Sequence, residues 1–523
     1  MKTNLHTGKE AQERIINGIR KCAQAVGGTM GTAGHNALIE AIENPGHLTT
    51  NDGATILGAI HFEDQLEEMG RKILLEAVSR ANKASGDGSS TTTLITAAIL
   101  EEGLKYLDSA SPMEIKKSIE ACVPLIEASI KKQTRLIVKD GTIDLMLLKQ
   151  VATISAEDES IGAMIADIYS QIGVGGIIHW DISKTFEDNY TVGKGITVDG
   201  AGFTSPYFAD MNEATGQFTN ALRWKKPHIL LVKQKITTAA DFERLFKMMN
   251  DMGLKEVVIF CDEYEPTVVS QLVQTRIVRG FKSALVKMPV LWKDYWYTDL
   301  AAATGATIVD GLGISFKTMD MSHLGTCDNI VVDKENTYID GIKDVTKHTK
   351  ELEAEGSDDS LLRVARLNSK TARYFVGAKS DSALSYRRLK VEDALNSAYH
   401  AIKDGIVAGG GIALRNCADE LPDDTVGQKI LTTALLNPEE QIAANAGVSE
   451  YIGKEDNMGL DTRTGKYVDM FEAGIVDSAS VTLNAVQNAV SVAATVLTCS
   501  VVIQLPRQSF TDTLVEEIMT RKP

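Results

Sequence analysis

Apolar residues recur at helical spacing through the first part of the chain. Ile15, Ile16, Ile19, Cys22, Ala23 and Val26 fall on one stripe; Leu66, Met69, Ile73, Leu74, Ala77, Val78 and Ala81 fall on another. Each predicts an amphipathic helix with one buried face. The run that follows Gly88 is apolar on nearly every side, so it predicts a helix buried all round. The texture changes between about residues 195 and 368. Short β-type runs, HILLV (228–232), EVVIF (256–260), SALVKM (283–288), ATIVDG (306–311) and NIVVD (329–333), alternate there with helical stretches near 238–252 and 266–278. That alternation is the pattern of an α/β unit. From about Lys403 the pattern is helical again and rich in Ala and Val. An α/β block inside a helical chain predicts an insertion, with both chain ends forming one domain and the middle carried on it. Residues 143–190 and 371–403 flank the insert and suit a connecting domain.

Composition narrows the partners. The 523 residues suffice for about three domains. Lys and Arg total 54 against 70 Asp and Glu, a net charge of −16. That balance argues against nucleic acid and against an anionic membrane, since both need a basic face. No run approaches ~20 apolar residues, and the greasiest stretches, 94–100 and 489–503, read as buried helices. Six cysteines lie far apart with no C-x-x-C pair, which gives no zinc or thioredoxin signature and suits a reducing compartment. Residues 1–10 are polar and carry no apolar signal core. A cytoplasmic protein is expected.

The candidate chemistry lies in glycines beside carboxylates and hydroxyls. Gly86-Asp87-Gly88-Ser89-Ser90-Thr91-Thr92-Thr93 immediately precedes the all-round apolar helix. Two glycines let the backbone turn tightly, and a helix N-terminus offers free N–H groups and a partial positive charge. Asp, Ser and Thr are also ordinary helix caps, but five successive hydroxyls exceed what a cap needs and favour phosphate. Thr29-Met30-Gly31-Thr32-Ala33-Gly34, Asn51-Asp52-Gly53-Ala54-Thr55 and Ala408-Gly409-Gly410-Gly411 are each, alone, only turn signals. No Walker A loop occurs. Asp393 sits in LKVEDALNSAYHAIKDG (389–405), a helical run with Val391, Leu395, Ala398 and Ile402 on its apolar positions. On its own it reads as a solvated helix residue.

In combination these segments carry more. TMGTAGHN (29–36), TNDGATIL (50–57), SGDGSSTTT (85–93), VATISA (151–156), VEDAL (391–395) and VAGGGIAL (407–414), together with FTSPYF (203–208) and GIVD (474–477), occur in the order and spacing of one family. By them the chain resembles the group I chaperonins of the GroEL type over nearly its whole length. The resemblance implies a multidomain α and α/β chaperonin fold. A mostly helical equatorial ATPase domain would span residues 1–137 and 404–523. A small α/β intermediate hinge domain would span 138–193 and 371–403, and an inserted α/β apical domain 194–370. It further implies an ATP-driven protein-folding machine: a homo-oligomer in a sevenfold ring, single or double, that takes unfolded client proteins. A co-chaperonin lid is left open. Thr29, Met30, Gly31 and Thr32 would form the first phosphate loop. Asp87 would hold Mg²⁺, and Gly88, Ser89, Ser90 and Thr91 would cradle the phosphates. Ile154 and Ser155 would lie beside the nucleotide, Gly409 and Gly410 under its ribose and base, Asp461 and Ile475 near the adenine, and Asp477 at the ribose. Asp52 and Asp393 would act on the attacking water. Asp393, borne by the intermediate segment, would reach the γ-phosphate after that domain swings down. K⁺ near the phosphates belongs to the family and has no independent sign in this sequence.

Phe242, Leu245, Phe246 and Met249 make an i, i+3, i+4, i+7 stripe, and Val268, Val269, Leu272 and Val273 another. Such stripes usually face a core. The resemblance instead places Phe203, Tyr207, Phe208, Phe242, Phe246, Val268, Leu272 and Val273 on a client-binding groove.

The chain also departs from the family. Thr32 and Ala33 stand where Pro and Lys are usual, Asn51 where Lys is, and Asp461 where Asn is. NDGATIL and GLDTRTGK (459–466) read more like the group II chaperonins. An apical Arg expected near Ala201 is absent, as are the hinge glycines expected at Ser369-Lys370, which leaves Gly195 and Gly377 for the swing. The sequence ends TRKP in place of a Gly-Gly-Met tail. A divergent chaperonin, from a virus or an unusual bacterium, fits this pattern. One alternative is a group II-like chaperonin, whose built-in lid needs a longer insertion than residues 264–280 provide. Another is a ring with a non-folding structural role, against which the retention of Asp52, Asp87 and Asp393 speaks.

Overall fold

The computed structural model describes residues 4–40, 47–210, 219, 221–289, 293–368, 370–448 and 456–504. Ser369 and the C-terminal TRKP lie outside the described residues. Residue packing divides the chain into two units. One comprises Met1–Ser170, Ile182–Asp188 and Phe375–Pro523; the other comprises Gln171–Asp181 and Asn189–Tyr374. The middle of the chain is therefore an insert between two ends that share one unit.

The first unit is helical. The predicted stripe of the Lys9–Gly27 helix is buried, as are Leu66, Leu74, Ala77, Val78 and Ala81 of the Gln65–Ser85 helix. At its centre the Ser89–Tyr106 and Ala479–Thr498 helices pack on each other. The Gln65–Ser85, Pro112–Gln133 and Val426–Asn445 helices also pack on this pair. Ala479–Thr498 is long and apolar enough to cross a bilayer, yet Val486, Ala489, Val490 and Ala493 are closed into the core. All-round burial explains its composition. The helix starts are written locally. Asp64 caps Gln65–Ser85 by accepting from the Leu66 and Glu67 N–H groups, and Ser111 and Glu114 form a capping box ahead of Pro112. The chain ends meet as Asn4–Thr7 pairs antiparallel with Val501–Gln504.

The second unit holds two sheets. In the first, Lys282–Lys287, Glu256–Cys261, His228–Val232 and Ile308–Val309 run parallel in that order, with Gly325–Thr326 antiparallel to His228–Val232. Residues 229–232 and 257–261 are fully buried on both faces, which is why these strands read as unbroken apolar runs. The second sheet has the order Ile177–Ile182, Lys370–Val376, Asn189–Asp199, Asn336–Asp340, Asn329–Val332, Leu222–Lys225. NIVVD thus forms a strand, but antiparallel and in this second sheet, while ATIVDG contributes only two strand residues.

The client-groove expectation needs correction. Phe208, Phe242, Val268 and Leu272 have no exposed surface. They share one core cluster with the parallel strands, and Phe203, Phe246 and Val273 are partly buried against it. The two helical stripes cover the sheet, and a helix has only one apolar stripe to give. Of the expected set only Tyr207 is exposed, at 54%. The apolar side chains that do face solvent near these helices are Met252, Ile277 and Val278, at 64%, 70% and 72%.

Candidate functional site

One cleft in the first unit gathers most of the predicted positions. Its walls include Thr29, Met30, Gly31, Thr32, Asp52, Asp87, Gly88, Ser89, Ser90, Thr91, Ile154, Ser155, Asp393, Gly410, Asp461, Ile475 and Asp477. About 1470 Å³ of space lies between these walls, open solvent at its mouth included. Gly409 lies just behind the wall. Its N–H bonds the Ile475 carbonyl at 2.9 Å, and a Cβ there would come within 3.0 Å of that oxygen. Gly411 lines the cleft beside Gly410 instead.

The floor is a helix start without a side-chain cap. Gly88, at φ 90°, precedes Ser89–Tyr106 and brings no side-chain cap to its first N–H groups. Only glycine adopts that φ at low cost. The exposed N–H groups and the helix dipole make an anion site. The hydroxyl run divides in two. Thr92 and Thr93 are buried and donate to the Gly88 and Ser89 carbonyls of their own helix. Ser90 and Thr91 line the cleft. The sequence argument from five hydroxyls therefore overcounts, because the outer turn alone faces a ligand.

Asp87 is held from three sides, and its Oδ1 accepts from the Gly88 N–H at 2.5 Å. Its Oδ2 accepts from Ser155 Oγ at 2.9 Å and from Ser397 Oγ at 2.7 Å, so it ties the Leu145–Ala156 and Asp381–Asp404 helices to the turn before Ser89. Gly86 is forced by the same closure. It sits at φ 67°, and a Cβ would lie 2.2 Å from the Asn396 amide. Asp52 caps the Gly53–Ala59 helix. It accepts from the N–H groups of Ala54 at 3.3 Å and Thr55 at 2.8 Å, and Ser89 Oγ reaches its Oδ1 at 3.3 Å. Its capping is real and does not remove it from the wall. Asp461 serves the turn between Met458–Asp461 and Lys466–Asp469. Arg463 N–H and Thr464 Oγ1 donate to its carboxylate, and with the Arg463 charge they outweigh burial and hold its pKa below the ordinary value. The Thr32 and Thr462 hydroxyls share a hydrogen bond that joins this turn to the first loop.

The carboxylates sense one another. Asp393 is held well above the ordinary carboxylate range, first by loss of water and then by the charges of Asp87 and Asp52, with Lys390 pulling the other way. Asp477 is pushed up to about 6, by burial and then by Asp87. Among the described residues no three His, Cys, Asp or Glu side chains form a closed metal cage. A carboxylate beside a helix N-terminus suits a hard cation that takes one or two carboxylates and fills its shell with phosphate oxygens and water, the habit of Mg²⁺. Asp87 beside an uncapped helix start fits that cation and its phosphates.

Asp477 also sets a stability expectation. Its folded pKa lies above the unfolded value near 3.9, so its protonated form favours the unliganded fold. That contribution is complete below about pH 4 and is lost as pH rises through about 6. Asp477→Asn should stabilise the ligand-free chain at pH 8 by about 2–3 kcal/mol, and by roughly half as much at pH 5. Thermal melts of both proteins at the two pH values check this, and an equal gain at both pH values would refute it.

Several wall residues escape sequence reasoning: Glu157, Lys390 and Ser397. Ser397 and Lys390 stand four residues after and three before Asp393 on one helix, a spacing that shares a face and could have found them.

The TCP-1/cpn60 chaperonin family matches residues 22–507. The chaperonin gp146 from the bacteriophage EL 2 (Pseudomonas aeruginosa), solved in presence of ATP-BeFx, is similar in fold in two crystal forms. Form II gives a TM-score of 0.69 at 18% identity, covering 96% of this chain and 99% of that one. Form I gives 0.64 at 17% identity with the same coverage. With the family match extending over nearly its whole length, this chain belongs to the TCP-1/cpn60 chaperonin family, as a divergent member.

Proposed function

We propose that the protein is an ATP-hydrolysing, Mg²⁺-dependent chaperonin of the group I type that folds client proteins inside a sevenfold ring. The observation that carries this is the convergence of residues 29–32, 52, 87–91, 393 and 477, far apart in sequence, on one cleft. The domain scheme is equatorial at residues 1–137 and 404–523, intermediate at 138–193 and 371–403, and apical at 194–370. The group I reading draws support from residues 264–280, where the described chain is one 14-residue helix, Pro266–Arg279, ending at a left-handed Gly280 with no long protrusion. The six cysteines are free, which suits the cytoplasm of a bacterium or an infected host cell. Ring number and a lid partner follow the resemblance alone, as does K⁺.

Phosphoryl transfer to water needs positioning and charge neutralisation more than covalent help. The N–H groups at the start of Ser89–Tyr106, with Ser90 and Thr91 and the Thr29–Thr32 loop, bind and orient the triphosphate. Asp87, steadied by Ser155 and Ser397, would hold Mg²⁺. Mg²⁺ bound there supplies charge neutralisation at the phosphate oxygens. Asp393 orients the attacking water and takes its proton on a carboxylate oxygen, a role its raised proton affinity suits. Asp52 helps fix that water from the opposite helix start. Steady-state hydrolysis of ATP, with Mg²⁺ and with a chelator, tests the reading, and absence of Mg²⁺-dependent turnover overturns it.

Client capture falls to the exposed apolar side chains. Ile277→Ser with Val278→Ser should leave stability within about 0.5 kcal/mol and weaken suppression of aggregation of an unfolded client. Phe242→Ala should instead cost about 3–5 kcal/mol through its cavity. Denaturant unfolding alongside an aggregation assay separates the two outcomes.

A further inference from the structure

The charge on the cleft wall is lopsided. Asp52, Asp87, Glu157, Asp393, Asp461 and Asp477 line it, against only Lys390 and Arg463. A triphosphate brings further negative charge, which one divalent cation offsets only in part. Arg463 is half-exposed and its Nε already lies 3.2 Å from Asp461 Oδ1 in the turn they share. Lys390 is different. Its side chain is only 10% exposed, it stands one helical turn before Asp393, and its Nζ lies 3.0 Å from Glu157 Oε1. Asn51 Nδ2 holds the same carboxylate, at 3.0 and 3.1 Å from its two oxygens.

Resting on the nucleotide reading above, we propose that Lys390 is a triphosphate-binding residue, parked on Glu157 in the free protein and released to the phosphates when they enter. A nearly buried ammonium held on a partly exposed carboxylate is a position from which a long, rotatable side chain can turn to a stronger anion inside the cleft. Glu157 keeps its Asn51 partner after the exchange, so the carboxylate left behind is not orphaned. The geometry also places the ammonium on the same helix face as the water-activating Asp393, so triphosphate capture and water positioning come from one element.

Calorimetric titration of the full chain with the β,γ-imido analogue of ATP, with ADP and with adenosine, all in the presence of Mg²⁺, tests this. Lys390→Gln should weaken the analogue on the order of 10- to 100-fold, weaken ADP less, and leave adenosine unchanged. Lys390→Arg, which keeps the charge, should restore most of the affinity. Glu157→Gln should tighten the analogue several-fold by releasing Lys390. The proposal is overturned if Lys390→Gln binds the analogue like the wild type. It is equally overturned if the double variant Lys390→Gln with Glu157→Gln regains wild-type affinity, because Lys390 would then only neutralise Glu157. A wild-type chain that binds none of the three ligands takes down the nucleotide reading itself, and this assignment with it.

Discussion

Asp393→Ala is expected to lower the Mg²⁺-dependent ATPase rate on the order of 10²- to 10⁴-fold, the range that a positioned general base contributes, while nucleotide still binds. Binding should survive because Asp393 meets the triphosphate as one negative charge facing another, so its removal relieves repulsion. Asp393→Asn should behave alike, since an amide keeps the shape and cannot take the proton. The pH profile gives a second signature. Asp393 is held well above the ordinary carboxylate range by burial and by Asp87 and Asp52, and a base must be deprotonated to act. Wild-type turnover should therefore fall as pH drops through that raised value, well above where a solvent-exposed Asp would titrate, and the variant's residual rate should lack the same limb. A variant that turns over ATP at the wild-type rate, with an unchanged limb, would remove Asp393 from the chemistry.

How far the sequence speaks depends on what each residue has to satisfy. Helices of the first unit are legible because one stripe, or in Ser89–Tyr106 and Ala479–Thr498 nearly every side, faces core. The parallel strands are legible for the same reason, since burial on both faces leaves no polar alternation to blur them. Periodicity does not say what a stripe packs against. Phe242, Val268 and Leu272 carry the pattern of a groove and of a core equally well, and the sheet beneath them decides for the core. Pairing is also invisible locally, so NIVVD reads as one more strand of the α/β block and turns out antiparallel in a second sheet. In the cleft, glycines and carboxylates stand out because few residue types tolerate Gly88's φ or cap a helix. The groups that steady them do not. Ser155 and Ser397 approach Asp87 from two helices, and Asn51, Glu157 and Lys390 meet across about 340 residues of chain. Ordinary polar residues acquire a role only through that closure.

The same closure fixes Asp87 closely, with Gly88, Ser155 and Ser397 all bonded to its carboxylate. Asp87→Asn should raise the Mg²⁺ concentration needed for half-maximal ATPase by about 100-fold or more. Loss of an outer partner of a metal ligand already costs 10–100-fold, and here the ligand's own charge is lost. Ser155→Ala and Ser397→Ala, which remove the hydroxyls that aim the carboxylate, should each fall in the 10–100-fold range. Asp87→Asn should act at a distance as well. Its charge is one cause of the raised proton affinity of both Asp393 and Asp477, so removing it should move the acid limb of the residual activity to lower pH. A carboxylate that merely capped the turn would leave both the Mg²⁺ requirement and that limb where they were, and activity titrated against Mg²⁺ at several pH values distinguishes the two. The coupling follows from the arrangement of charge. Asp87 presents a negative group to the cation while raising the proton affinity of the base that must act beside it.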